Sequence, residues 1–267
     1  MTKGVRNLVA AAAAAAALAS CAQAQTAQTI PDDQTVRNIV LVHGAFADGS
    51  GWRGVYDELT SRGYRVSVVQ NPLTSFEDDV NSTRRVLARQ DGPVILVGHS
   101  YGGAVITETG VDPNVAGLVY VAAFAPDVGE SLGGLLEQIP PPGLIVDPSP
   151  DGFGFVDMET FKDGFAGDTT GADAAFLRDS QGPIALSIFA TPVTQAAWRT
   201  KPTWSIVATQ DRAIDPRLLR QMAERTGGET VEVEASHVPY LTQSRAVADV
   251  IDRAARSASQ SAASAPN

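Results

Sequence analysis

Residues Pro93–Thr107 read PVILVGHSYGGAVIT. The apolar run Val94–Gly98 predicts a buried strand, and a helix is expected from about Tyr101. Between them lies Gly98-His99-Ser100-Tyr101-Gly102. A Gly-x-Ser-x-Gly turn between a strand and a helix presents its serine on a sharp, strained backbone, so its neighbours two residues away must be small. Gly98 and Gly102 meet that demand, and Gly103 lets the helix approach the sheet. The hydroxyl then stands clear of the strand end, where the helix N-terminus favours a developing negative charge. A phosphate cradle is excluded, because no lysine follows the glycines and the spacing is not G-x-G-x-x-G. Ser100 therefore reads as a nucleophile.

A serine hydroxyl needs a base, and the chain has 3 histidines. His99 neighbours Ser100, but adjacent residues on such a turn point apart; its expected role is packing or hydrogen bonding beneath the turn. His43 ends the first strand and is expected to shape a loop. His237, in EASHVPYL after the last strand, is the expected base. The base needs an acid to fix its tautomer and stabilise the imidazolium. Asp211 directly follows a strand and is preferred to Asp215, which precedes Pro216 and reads as a helix cap. An oxyanion would be held by two backbone N–H groups, one from Tyr101 and one from the loop after the first strand. Ala45 is the choice there, with Phe46 its near neighbour.

Outward from this turn, apolar runs alternate with helical patterns. Strands are predicted at 38–43 (NIVLVH), 64–70 (YRVSVVQ), 94–98, 115–122 (VAGLVYVA), 203–209 (TWSIVAT) and 229–234. Helices are predicted at 52–62, 76–90, from about 101, from 216 to near 227, and at 242–256. Ser75 and Asp78 form a capping box. The pattern implies an α/β fold: a doubly wound, mostly parallel six-stranded sheet with helices on both faces. Its rhythm breaks between about 126 and 200, where GESLGG, PPPG and PDGFGF show no strand pattern. That stretch reads as a small cap insertion of loops and short helices over the C-terminal edge of the sheet, where open α/β sheets bind ligands. Its acids (Asp147, Asp151, Asp157, Asp163, Asp168) read as solvated. Trp52, Trp198 and Trp204 read as core, and Phe124 is placed to face the site.

The 267 residues carry a formal charge of −10, with 44% hydrophobic and 19% charged residues. Acidity without a Lys/Arg cluster argues against nucleic acid as a partner. Lys3, Arg6 and the apolar run Leu8–Leu18 form an export leader, too short for a membrane span of ~20 residues. Ala22-Gln23-Ala24 fits a cleavage site that ends a signal peptide at residue 24. Leu18-Ala19-Ser20-Cys21 fits a lipobox, which would end it at residue 20 and make Cys21 a lipid anchor. Both readings place the protein in the periplasm, outside the cell or anchored to the envelope. Cys21 is the one cysteine, so an intramolecular disulfide is excluded. Residues 25–36 read as a linker, 37–256 as the folded domain and 257–267 as a disordered tail.

The blocks VLVHGAFADGSGW, VGHSYGGAV, ATQDRAI and SHVPYLTQ resemble the α/β-hydrolase superfamily. They are most similar to its small branch of plant methyl-ester hydrolases and hydroxynitrile lyases and their bacterial relatives. The order Ser100, Asp211, His237 is the order of that superfamily. The resemblance covers about residues 38–255 and matches worst in the insertion, which it implies is a lid shaping the substrate pockets. It implies a serine esterase acting on a small-molecule ester without cofactor or metal. Lactone hydrolysis, acyl transfer and cyanohydrin cleavage are alternatives on the same residues, as is a non-catalytic binding module. The lyases of that branch carry a lysine directly after the catalytic histidine, where this chain has Val238. They also carry a threonine where it has Gly44. Both departures favour the esterase.

Overall fold

A computed structural model describes residues 36–263, with side chains through 260. The readings of a leader, a cleavage site and an anchor at Cys21 lie outside the described residues.

The chain starts with β1 (Asn38–Val42), α1 (Arg53–Ser61), β2 (Arg65–Val68) and α2 (Phe76–Leu87). β3 (Val94–His99), α3 (Gly102–Thr109) and β4 (Val115–Val121) follow. The insertion then supplies α4 (Leu132–Gln138), β5 (Val146–Pro148), β6 (Phe153–Val156), α5 (Phe161–Phe165), α6 (Gly171–Asp179), β7 (Ile184–Ala185) and α7 (Ser187–Ala190). The chain closes with β8 (Thr203–Ala208), α8 (Pro216–Thr226), β9 (Glu229–Val233), α9 (Pro239–Thr242) and α10 (Ser244–Ala263).

The main sheet has strand order β2-β1-β3-β4-β8-β9, and all its pairings are parallel. β1, β3 and β8 are buried along their whole length, as continuous apolar runs require when helices cover both faces. β2 and β9 are the edges, and each of their residues is exposed or half-buried. From β1 the order runs outward to β2 on one side and to β3 on the other. The β1/β3 boundary is therefore a topological switch point, where a crevice opens at the C-terminal strand ends. Val42 of β1 pairs with Gly98 of β3, so the loop after β1 and the turn after β3 leave the sheet side by side.

Local signals account for the element ends. Ser75 caps α2, its side chain accepting from the Asp78 N–H, and Asp78 accepts the Ser75 hydroxyl in return. Asp215 caps α8 ahead of Pro216, and Gly227 ends it in the left-handed conformation.

Two expectations are corrected. The insertion contains strands: β5, β6 and β7 form an antiparallel three-stranded sheet. They are two to four residues long and include Pro148 and Gly154, so no alternating pattern reveals them. The closing helix also runs on to Ala263, into the stretch read as a tail. Alanine is the best helix former, and Ala258 and Ser259 are buried. The Ser259 hydroxyl accepts from the N–H of Val36, tying the helix to the start of the fold.

Candidate active site

Ser100 sits just past β3 with a φ of 53°. A non-glycine residue in that region is strained and persists only where its surroundings fix it. Here they do. The Ser100 N–H donates to Val121 at 3.2 Å, and the Ser100 carbonyl accepts from Gly103 at 2.9 Å and Phe124 at 3.1 Å. Close approach explains the glycines. A Cβ on Gly98 would lie 2.5 Å from the Gly102 carbonyl oxygen, and one on Gly103 would lie 2.1 Å from that of Phe124. Phe124 is itself buried, meeting the turn through its backbone.

β8 and β9 deliver the other two groups. Asp211 lies beyond the end of β8 and His237 beyond the end of β9, and both are buried. His237 Nδ1 lies 2.7 Å from Asp211 Oδ2, and His237 Nε2 lies 2.8 Å from Ser100 Oγ. An ionised carboxylate only accepts, so Nδ1 carries the proton and Nε2 is left to accept from the serine hydroxyl. The other Asp211 oxygen accepts the N–H groups of Ala213 and Ile214 at 2.8 and 2.9 Å. Those bonds fix the orientation of the carboxylate. Asp215 stands apart from this chain. It accepts the N–H of Arg217 as a helix cap and pairs with that residue's guanidinium.

The other two histidines serve the frame. His99 Nε2 donates to the His237 carbonyl at 2.7 Å, and its ring packs 4.5 Å from that of Tyr240 and 4.8 Å from that of His237. Burial, with His237 alongside, holds its pKa well below the usual histidine range. His43 accepts the Asn71 N–H at Nε2, so its proton is on Nδ1, which donates to the Gly44 carbonyl at 2.8 Å. Beside it, Phe46 has a φ of 61°. Among the described residues, no acceptor takes the N–H of Ala45, Phe46 or Tyr101.

The cap reaches the site from above. Phe165 of α5 meets His237 edge-on, with ring centroids 5.0 Å apart. Phe46, Phe161, Phe165 and Phe176, together with Asp48 and Ser180, are among the residues lining a small cleft beside Phe165; Ser100, Asp211 and His237 are not. Asp168, in the loop after α5, accepts the hydroxyls of Ser236 and Thr242, on either side of His237. Asp168 is exposed, as expected of the insertion's acids, and it also ties the cap to the segment that carries His237. A scatter of acids gave no signal for it; only the fold brings residue 168 to residue 236. The tryptophans stand outside the cleft. Trp52 and Trp204 are core, and Trp198 packs under Arg199 and Arg225. Among the described residues, no group of three or more His, Cys, Asp or Glu side chains is placed to hold a metal ion.

Known proteins place this arrangement. A family model described as "Alpha/beta hydrolase family" matches residues 39–250. A pyrethroid hydrolase from Sphingobium wenxiniae is 30% identical over 248 residues, spanning 81% of this chain and 87% of that one. A carbendazim hydrolyzing esterase from a Nocardioides species is 41% identical over 119 residues, spanning 39% of this chain and 49% of that one. Among solved structures, a pyrethroid hydrolase from Sphingobium faniae superposes with a TM-score of 0.69 at 25% identity, covering 83% of this chain and 98% of that one. With its six-stranded parallel sheet, and with the family model spanning most of its length, the chain belongs to the alpha/beta hydrolase family.

Proposed function

We propose that this hydrolase is a serine esterase that cleaves small carboxylic esters through an acyl-enzyme. One observation carries the reading: the continuous hydrogen-bonded chain from Asp211 through His237 to Ser100. Ser100 Oγ attacks the ester carbonyl while His237 Nε2 takes its proton. Asp211 holds the imidazolium that forms. The N–H groups of Ala45 and Tyr101 stabilise the oxyanion, where each donor is worth ~10²–10³ in kcat. His237 then protonates the leaving alkoxide, and water, activated by the same nitrogen, releases the acid. An esterase and a hydrolase among the relatives support this chemistry.

Two observations weigh against cyanohydrin cleavage. Val238 is fully buried, leaving no cation after the base to receive cyanide. A side chain at Gly44 would place its Cβ 2.8 Å from that of Ser100, so a threonine there needs the serine to shift. The same proposal takes the enzyme outside the cytoplasm, on the strength of Lys3, Arg6 and the apolar run Leu8–Leu18.

A p-nitrophenyl ester tests the reading. The wild-type chain should release nitrophenol in a burst of one equivalent per active site, and Ser100→Ala should abolish it. A burst that survives the substitution would overturn the assignment of the nucleophile.

A further inference from the structure

The two N–H groups proposed for the oxyanion belong to different loops, one after β1 and one after β3. Strand pairing holds those loops together only as far as Val42 and Gly98. Beyond that point something else must keep the donors at one spacing, because a donor acts only within about 2.7–3.1 Å of the oxygen it serves.

The loop between β2 and α2 touches both. On one side Asn71 brackets His43: its N–H donates to His43 Nε2 at 2.9 Å, and its side-chain amide donates to the His43 carbonyl at 3.0 Å. His43 in turn holds the Gly44 carbonyl, whose amide is the Ala45 N–H. On the other side stands Asp79, fully buried near the start of α2. It accepts the Tyr101 hydroxyl at 2.6 Å and the Leu73 N–H at 2.9 Å. Leu73 lies two residues beyond Asn71, with a φ of 59°. Polar contacts and the covalent chain between them thus form one path: Ala45, Gly44, His43, Asn71, Leu73, Asp79, Tyr101.

Asp79 is costly to keep. Burial pushes its pKa up to about 6, and no cation is bonded to it. A phenylalanine facing an apolar residue would fill the same space without a buried charge, and such replacements are often neutral or stabilising. The charge makes sense if it holds Tyr101 and Leu73 in one fixed relation.

We infer that the β2–α2 loop is the crosspiece that sets the spacing of the two oxyanion donors, with Asn71 and Asp79 as positioning residues for ester hydrolysis. This rests on the esterase reading above.

Tyr101→Phe removes the contact between the elbow and the crosspiece, and Asp79→Asn removes the charge that holds it. Turnover should be measured per active site, after end-point titration with a fluorophosphonate, so that misfolded chains are not counted. Each variant should lose about 10- to 100-fold in kcat, the range of a misplaced rather than a missing donor. KM should stay within about twofold, because the ground-state ester uses these donors less. Affinity for a trifluoromethyl ketone, which binds as an oxyanion, should fall in step with kcat/KM. The double variant should lose little more than either single one. Should Asp79→Asn fail to fold, Tyr101→Phe reads the same contact. A lower melting temperature with unchanged kcat per titrated site would overturn the inference and leave the esterase standing. A wild-type chain that takes up no fluorophosphonate would remove the esterase reading itself, and the inference with it.

Discussion

His237 is touched by two regions built by different means. From below come the strand ends. There Ser100, Asp211, His43 and His99 are buried, and parallel pairing from β1 to β9 decides where each begins. From above comes the cap. Its three-stranded sheet is short, and Ile145, Phe155, Met158 and Phe176 are exposed on it. It grips the base through the edge of Phe165 and through Asp168, whose carboxylate takes the hydroxyls of Ser236 and Thr242. Below, moving one group means disturbing a packed sheet. Above, the cap packs into the same core through Val156, Phe161, Phe165, Ile184 and Ile188, and its outer face is exposed. On the proposed reading the chemistry sits at the strand ends, and the cap meets it through Phe165 and Asp168.

The contrast orders the expected effects of substitution. The largest should come from below. Asp211→Asn keeps the size of the side chain but lets Nδ1 lose its acceptor, and kcat should fall on the order of 10⁴. Asp215→Asn is the paired control. It keeps a good N-cap and loses one ion pair to the exposed Arg217, away from His237, so kcat should stay at the wild-type value. A crippled Asp215→Asn beside an active Asp211→Asn would reverse the assignment of the acid. The crosspiece variants should fall between, since they displace a donor and leave the proton path alone. The smallest loss should come from above. Asp168→Ala removes the cap's hold on the segment that carries the base, and kcat should drop about fivefold, as for one modest hydrogen bond. If steady-state kinetics show KM rising with kcat intact, the cap shapes the cleft and does nothing for the base.

What could be read from the amino-acid order follows the same division. Val94–Gly98, Val115–Ala122 and Thr203–Thr209 are continuous apolar runs, and such runs can only be buried strands when helices lie between them. Ser100, Asp211 and His237 were legible because each follows a strand end, and Gly98 and Gly102 announce the turn. The cap strands carry no period, since a two-residue strand such as β7 has none to show. Asp168 was invisible among scattered acids, because its partners lie near residue 236. Asp79 was equally hidden: it follows Glu77 and Asp78, which look like any acidic first turn of a helix. The end of α10 was misread because Ser and Ala without long side chains resemble a linker, while the burial of Ala258 and Ser259 depends on the rest of the fold.

The central claim is that Ser100 is a nucleophile activated by His237. Its most direct test is mass spectrometry of the chain after brief exposure to a fluorophosphonate, before any natural ester is known. The account predicts one adduct, on Ser100, absent from Ser100→Ala and sharply slowed in His237→Ala. An adduct on another residue, or labelling of Ser100 at the same rate without His237, would contradict it.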